Sequence, residues 1–185
     1  NILVATKCGI RKKDEPKKGL PHRYDLSREH ILNSCDSSLK RIGIDCVDLY
    51  QLHRPDYLME PEEIASAFEK LKQSGKAREF GVSNFTVDQL STLQATCPMK
   101  LHCNQIEISL IQRNAIEDGS LNHYNRNAIT PLAWSPLAQG KLGSEYPVRL
   151  QKPNHTQEQA IRDVLNQIAK EKQCSRTNVA LAWLL

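Results

Sequence analysis

The sequence predicts an α/β fold of the (β/α)8 TIM-barrel type, present in part, and three observations carry that expectation. Short apolar, β-branched runs alternate with segments of helical periodicity. The links between runs are long enough for crossovers, so neighbouring strands should pair in parallel through right-handed βαβ units. No G-x-G-x-x-G occurs anywhere, which argues against the other parallel architecture, the doubly wound dinucleotide fold. A closed barrel needs about eight strands. Five candidates occur, Ile2-Thr6, Val47-Leu52, Ala77-Val82, Leu101-Ile106 and Ile129-Trp134, so residues 1–185 are read as a single partial barrel domain.

The helices between them carry their own start and stop signals. Ser27 is an N-cap, Leu26 and Ile31 stand at staple spacing, and Ile31, Leu32, Cys35, Leu39 and Ile42 share one face. Gly43 can end that helix in the left-handed conformation. A second helix opens at Pro61, with Glu62 and Glu63 favourable to its dipole; it buries Ile64, Phe68 and Leu71 and stops at Gly75. Thr86 and Gln89 form a capping box for a third, stapled by Phe85 and Leu90. Leu121 and Tyr124 suggest a short helix after Gly119. Leu137 to His155 reads as a loop, Thr156 and Gln159 cap a helix through Lys172, and a last one starts near Thr177.

Composition bounds the function. A hydrophobic fraction of 39% and a charged fraction of 25% describe an ordinary soluble globular protein. The net charge of +4 is interspersed, and the run Arg11-Lys12-Lys13 is answered by Asp14 and Glu15, so no nucleic-acid partner is expected. Six cysteines without a C-x-x-C pair favour reduced thiols and a cytoplasmic setting, and no metal site is expected. No run is apolar enough to span a bilayer and no leader pattern opens the chain. The chain starts with Asn1 and reads at once as strand, so it is expected to begin within a longer protein.

Chemistry gathers at the strand ends. Lys7 follows the first apolar run, His53 the second, Ser83-Asn84 the third; Asn104-Gln105 sit near the end of the fourth, and Trp134-Ser135 end the fifth. In parallel barrels the carboxyl ends of all strands open into one mouth, which is where active sites form. Alternation puts His53, Gln51 and Leu49 on one face, so Gln51 either lines the mouth or bonds inside it. Asp45 and Asp48 read as turn and cap residues, Asp56 as the cap of the following turn, and Tyr57, Leu58, Met59 and Phe85 as apolar lining.

These pieces resemble the aldo-keto reductases, (β/α)8 barrels that use a nicotinamide dinucleotide without a Rossmann motif. The matching segments are ATK (Ala5-Lys7), DLYQLHRPD (Asp48-Asp56), LKQSGKAREFGVSNF (Leu71-Phe85), NQIEISL (Asn104-Leu110) and AWSPLAQGKL (Ala133-Leu142), of which GVSNF is the most specific. The resemblance implies a reductase of aldehydes or ketones acting on a small carbonyl substrate, with NADP(H) favoured over NAD(H) and the oligomeric state left open. It implies that Lys7 is the catalytic lysine that lowers the pKa of a tyrosine acid, and that His53 hydrogen-bonds the substrate carbonyl. Ser83, Asn84 and Gln105 match groups that hold the nicotinamide carboxamide, and Trp134 matches the aromatic that stacks beneath the ring. Ser135, Leu137 and Gln139-Gly140-Lys141 match the segment that closes over the pyrophosphate.

The family's aspartate and tyrosine come from a segment ahead of the lysine strand, and neither Tyr24 nor Tyr50 matches that tyrosine. A non-catalytic, cofactor-binding module like the family's ion-channel auxiliary subunits is therefore the alternative. Residues 1–185 alone are expected to reduce carbonyls poorly with reduced nicotinamide; turnover at ordinary enzymatic rates by this span would contradict that expectation.

Overall fold

The computed structural model of the chain describes residues 2–145 and 156–185, Thr156 through its backbone only. The elements are β1 (Ala5–Cys8), β2 (Ile10–Arg11), β3 (Arg23–Tyr24), α1 (Arg28–Ile42), β4 (Val47–Leu52), α2 (Pro61–Gln73), β5 (Ala77–Ser83) and α3 (Val87–Thr96). They continue with β6 (Leu101–Glu107), α4 (Asn114–Glu117), α5 (Ser120–Arg126), β7 (Thr130–Trp134), α6 (Thr156–Glu171) and α7 (Arg176–Ala182). The main sheet has the order β1-β4-β5-β6-β7, each neighbour following in sequence, with parallel pairing from β1 through β6. Two compact units form, Asn1–Gln105 with Asn122–Leu132, and Ile106–Leu121 with Ala133–Leu185.

In the first unit the helix signals act as anticipated. The Ser27 hydroxyl accepts from the His30 N–H, and Gly43 closes α1 at φ 77° with its N–H on the Leu39 carbonyl. Both bonds of the Thr86/Gln89 capping box are present. The apolar faces converge on the sheet: Ile31, Cys35, Ile64, Phe68, Leu90 and Leu93 are fully buried with Tyr50 and Phe80. Phe68 of α2 stacks on Phe80 of β5 with ring centroids 4.4 Å apart, and the Tyr50 hydroxyl donates to the Ile31 carbonyl at 3.0 Å. Ile42 departs from its expected face and stands 47% exposed at the end of α1.

The first strand lies later than its apolar run suggests. Ile2 and Leu3 are exposed, while pairing with β4 begins at Ala5 opposite Leu49 and runs to Cys8 opposite Leu52. Asp48 sets this register: its carboxylate accepts the Val4 N–H at 2.9 Å and pairs with Arg78 of β5 at 3.3 Å. It therefore pins the amino ends of three strands rather than capping a turn. Beyond β1, where no strand is expected from the sequence, the chain forms the antiparallel pair β2–β3, with Arg11 bound to Asp25.

A second irregularity lies between β5 and β6. Phe80 pairs with Leu101 but Val82 pairs with Asn104, so His102 and Cys103 together oppose Gly81. An extra residue on one strand of this kind bends it and re-aims the side chains beyond. Gly81 is required there, because a Cβ at that position would meet the Cys103 sulfur at 2.3 Å and the Cys103 carbonyl at 2.9 Å.

In the second unit Ala138, Leu142, Leu165 and Ala180 form a buried cluster joined by Leu110, Ile111, Leu137, Ile161 and Val179. The short helix expected after Gly119 is α5, preceded by the unforeseen α4; Tyr124 of α5 is buried in the first unit. The expected Thr156 cap and the loop over 146–155 lie outside the described residues. Among the described residues no helix is long and apolar enough to cross a membrane.

Gly81→Ala should destabilise the protein by about 1–3 kcal/mol in chemical denaturation, the usual cost of overpacking. Adding Cys103→Ala should recover only part of that loss, since the carbonyl contact remains. Full recovery would show that the sulfur alone imposes the glycine.

Candidate active site

Lys7 enters the site through register. It stands opposite Gln51, and Gln51 opposite Gly81, so Lys7 and Gln51 share one face of the sheet. Gln51 is buried and donates to the Val82 carbonyl at 3.3 Å and the Cys103 sulfur at 3.5 Å. Of the two roles open to Gln51, bonding inside the fold is the one realised. Lys7 is half-buried, and its ammonium makes no hydrogen bond or ion pair among the described residues. Burial pushes the nearby Cys103 thiol up to about 11, against the opposing pull of the Lys7 charge.

His53 is the first residue beyond β4, where its N–H donates to the Cys8 carbonyl at 2.8 Å. That bond continues the β1–β4 ladder by one step and brings Lys7 and His53 into the wall of one cavity of about 600 Å³. Arg11, Lys12, His30 and Arg41 line it too, with Glu15 as its carboxylate. Burial holds the His53 pKa below the ordinary imidazole value, and the Lys7 and Arg54 charges push it the same way. Near neutral pH His53 is therefore an uncharged ring able to donate one hydrogen bond.

The remaining strand ends are bound to each other. Asn84 takes the left-handed conformation at φ 61°, which asparagine tolerates better than most side chains. Its backbone N–H donates to the Gln105 carbonyl at 2.9 Å, and its side-chain amide to the His53 carbonyl at 3.2 Å and the Ser83 hydroxyl at 2.9 Å. Ser83 in turn donates to the Gln105 carbonyl at 2.8 Å. One network thus joins the ends of β4, β5 and β6. The half-buried Gln105 side chain has no hydrogen bond among the described residues, so its amide offers both donor and acceptor, the pair that a carboxamide ligand needs. Asn104, beside it, faces the core and donates to the Phe85 carbonyl and the Tyr124 hydroxyl.

In the second unit the predicted residues are contiguous. Trp134 ends β7 half-buried, and Ser135 follows at φ 51°. Leu137 packs on the buried cluster, after which Ala138, Gln139 and Gly140 are all left-handed, at φ 49°, 56° and 91°. For residues with a Cβ this costs about 1–2 kcal/mol each, and strain of this kind concentrates at ligand sites. Lys141 is held by Glu158 at 2.8 Å.

Sequence patterning missed Asp48 as a strand staple and Gly81 as the partner of an irregular β6, although a glycine inside a strand is itself a signal for one. Of the residues read as apolar lining, Phe85 is buried at the start of α3, while Tyr57 and Leu58 stand 93% and 86% exposed. Tyr50, with its hydroxyl on α1, is raised far above the ordinary phenol range by burial and serves the core.

A family profile described as the Aldo/keto reductase family matches residues 1–185. The chain is 41% identical over 186 residues to an uncharacterized oxidoreductase, YcsN, of Bacillus subtilis, covering 100% of this chain and 59% of that protein. It is 37% identical over 184 residues to a 6-dehydroglucose reductase of Novosphingobium aromaticivorans, covering 100% of this chain and 55% of the relative. The structure of a glycerol dehydrogenase from Gluconobacter oxydans superimposes with a TM-score of 0.85 at 28% identity, over 98% of this chain and 59% of that one. The chain thus spans 55–59% of the length of these proteins, and its five parallel strands are part of a fold of the barrel type.

The shared cavity makes a titration prediction. Removing a positive charge beside an imidazole favours its protonated form, so Lys7→Met should raise the His53 midpoint, followed by proton NMR in the intact protein. Because burial is the larger cause, the midpoint should remain below the ordinary value. An unmoved midpoint would mean that the ammonium and the ring do not face each other.

Proposed function

Because this chain belongs to the aldo/keto reductase family, we propose that the protein is an oxidoreductase that reduces the carbonyl of a small aldehyde or ketone to an alcohol. The observation that carries the reading is the meeting of Lys7 and His53 in one cavity, with no counter-ion on the Lys7 ammonium among the described residues. The reading takes 1–185 as part of a single barrel domain. It places the protein in the cytoplasm, supported by six free cysteines.

When bound, a nicotinamide dinucleotide supplies the hydride. Reduction leaves negative charge on the carbonyl oxygen, and the two side chains meet that charge differently. Neutral His53 donates a hydrogen bond to the oxygen and orients the carbonyl. Lys7 supplies a fixed positive charge, which stabilises the developing alkoxide and lowers the pKa of a neighbouring phenol acid of the kind this family uses. The Gln105 amide, with Ser83 and Asn84 fixing its backbone, suits the nicotinamide carboxamide. Trp134 offers a ring face, and Ser135, Leu137 and the Gln139-Gly140-Lys141 turn suit the pyrophosphate. NADP(H) is placed ahead of NAD(H) on family grounds, and a relative named as a 6-dehydroglucose reductase makes sugar-derived carbonyls the first compounds to assay.

The test uses the full-length protein with reduced dinucleotide and a panel of aldehydes and ketones. Lys7→Met should lower kcat/KM by about 10²–10⁴-fold, the range of acid–base assistance, while cofactor affinity stays near wild type. An equal loss of affinity would make Lys7 a phosphate or structural residue. Trp134→Ala should weaken cofactor binding by roughly tenfold, since one stacked ring contributes about 1–3 kcal/mol; unchanged affinity would remove Trp134 from the site. Wild-type binding without turnover on any carbonyl would favour the non-catalytic alternative.

A further inference from the structure

The left-handed turn after β7 needs something to hold it. Its local bonds, Ala138 N–H to Ser135 at 2.8 Å, Lys141 N–H to Ala138 at 3.2 Å and Leu142 N–H to Leu137 at 3.1 Å, do not by themselves favour this hand. Ala138 and Gln139 carry a Cβ that crowds the backbone there, so isolated chain would leave the conformation. The restraint comes from α6 and α7. Leu142 is fully buried with Leu165 and Ala180, and the Ser144 N–H donates to the Thr177 hydroxyl at 3.0 Å.

At the centre is Arg176, in the first turn of α7. Its Nε donates to the Leu142 carbonyl at 3.2 Å, its Nη2 to the Gly143 carbonyl, and its Nη1 to the Asn166 side chain of α6 at 3.3 Å. One planar fork therefore grips the two carbonyls that follow Lys141 and ties itself to the neighbouring helix. Only a guanidinium presents donors in that geometry; an ammonium is a point charge. Leu142 and Gly143 have no side-chain polarity of their own, so the grip acts on the backbone and sets its path.

We propose that Arg176 is a positioning residue for the dinucleotide. By fixing the backbone at Leu142 and Gly143, it holds residues 138–141 in the conformation that receives the cofactor's phosphates. This rests on the reading above, in which Gln139-Gly140-Lys141 lies over the pyrophosphate. Without Arg176 the turn relaxes, and the cofactor must reorder it on binding. That ordering cost weakens affinity and leaves the chemistry of the bound state alone.

The test measures dinucleotide affinity by fluorescence of reduced nicotinamide adenine dinucleotide phosphate in the full-length protein, with kcat at saturating cofactor and a thermal melt alongside. Arg176→Ala should raise Kd about tenfold, a loss of about 1.4 kcal/mol, with kcat within about twofold of wild type. Arg176→Lys should fall between, and millimolar guanidinium should restore affinity to the alanine variant alone. Should the alanine variant fail to fold, Asn166→Ala, which removes only the tether to α6, should still raise Kd with kcat unchanged. A lowered melting temperature with unchanged Kd in the folded variants overturns the proposal and leaves Arg176 a purely structural residue. Wild-type protein that binds no dinucleotide overturns both this role and the functional reading; wild-type binding with unaffected variants overturns this role alone.

Discussion

Three neighbouring strands are tied together at their carboxyl ends by Asn84. Its backbone reaches β6 through the Gln105 carbonyl, and its side chain reaches the residue beyond β4 through the His53 carbonyl. The job admits few residues. Glycine would take φ 61° at no cost but could not reach His53, and aspartate would face that carbonyl with a second acceptor. A longer amide would lose the tolerance of asparagine for left-handed backbone. With the strand ends tied, the positions of His53, Ser83 and Gln105 are no longer independent, and the β1–β4 register places Lys7 relative to all of them.

The cavity wall gathers like charge where pure stability would separate it. Within that wall Arg11 is paired with Asp25, and elsewhere in the unit cations also meet carboxylates: Lys76 with Asp36, Arg78 with Asp48. Lys7 instead shares the wall with a histidine that burial holds neutral, the Lys7 charge acting in the same direction. The linkage has a definite sign. The unfolded chain protonates His53 more readily than the folded one, so between the depressed folded midpoint and about 6.5 it binds more protons, and stability rises with pH across that window. Above it the histidine contributes no slope. Such an arrangement costs stability in mild acid and gains from negative charge arriving between the two groups, which is the electrostatic requirement of carbonyl reduction.

Much of this was legible from residue order, for identifiable reasons. Helix starts were readable because Ser27 and Thr86 act within four residues of themselves, and Gly43 because only its own φ matters. The alternation in VDLYQL fixed which side chains of β4 share a face. What escaped depends on partners distant in sequence. The start of β1 follows from Asp48, 44 residues away from Val4, rather than from the apolar run Ile2-Val4. The β2–β3 pair is two residues per strand, too short for any period to show. The burial of Phe85 agrees with the staple position it holds beside the Thr86 cap. Asn104 and Gln105 are adjacent and both polar, and the irregularity opposite Gly81 decides which faces the core.

The run Gly81-Val82-Ser83-Asn84-Phe85-Thr86 shows why a short motif can identify a fold. Gly81 yields space to Cys103, and Val82 is buried and paired with Asn104. Ser83 and Asn84 close the network, Phe85 anchors the turn, and Thr86 starts α3. The strain at Asn84 is confined on both sides, by a paired strand before it and a capped helix after it, so the chain cannot relieve it by sliding. Each position answers to a different physical demand, so substitutions fail by separate routes: overpacking, a lost ladder pair, an unmet donor, a missing cap. A segment in which every residue is independently constrained carries more information than a longer one constrained only to be apolar. That is why this run is a more specific mark of the family than the strand Ala5-Lys7, even though Lys7 has the more direct part in the chemistry proposed above.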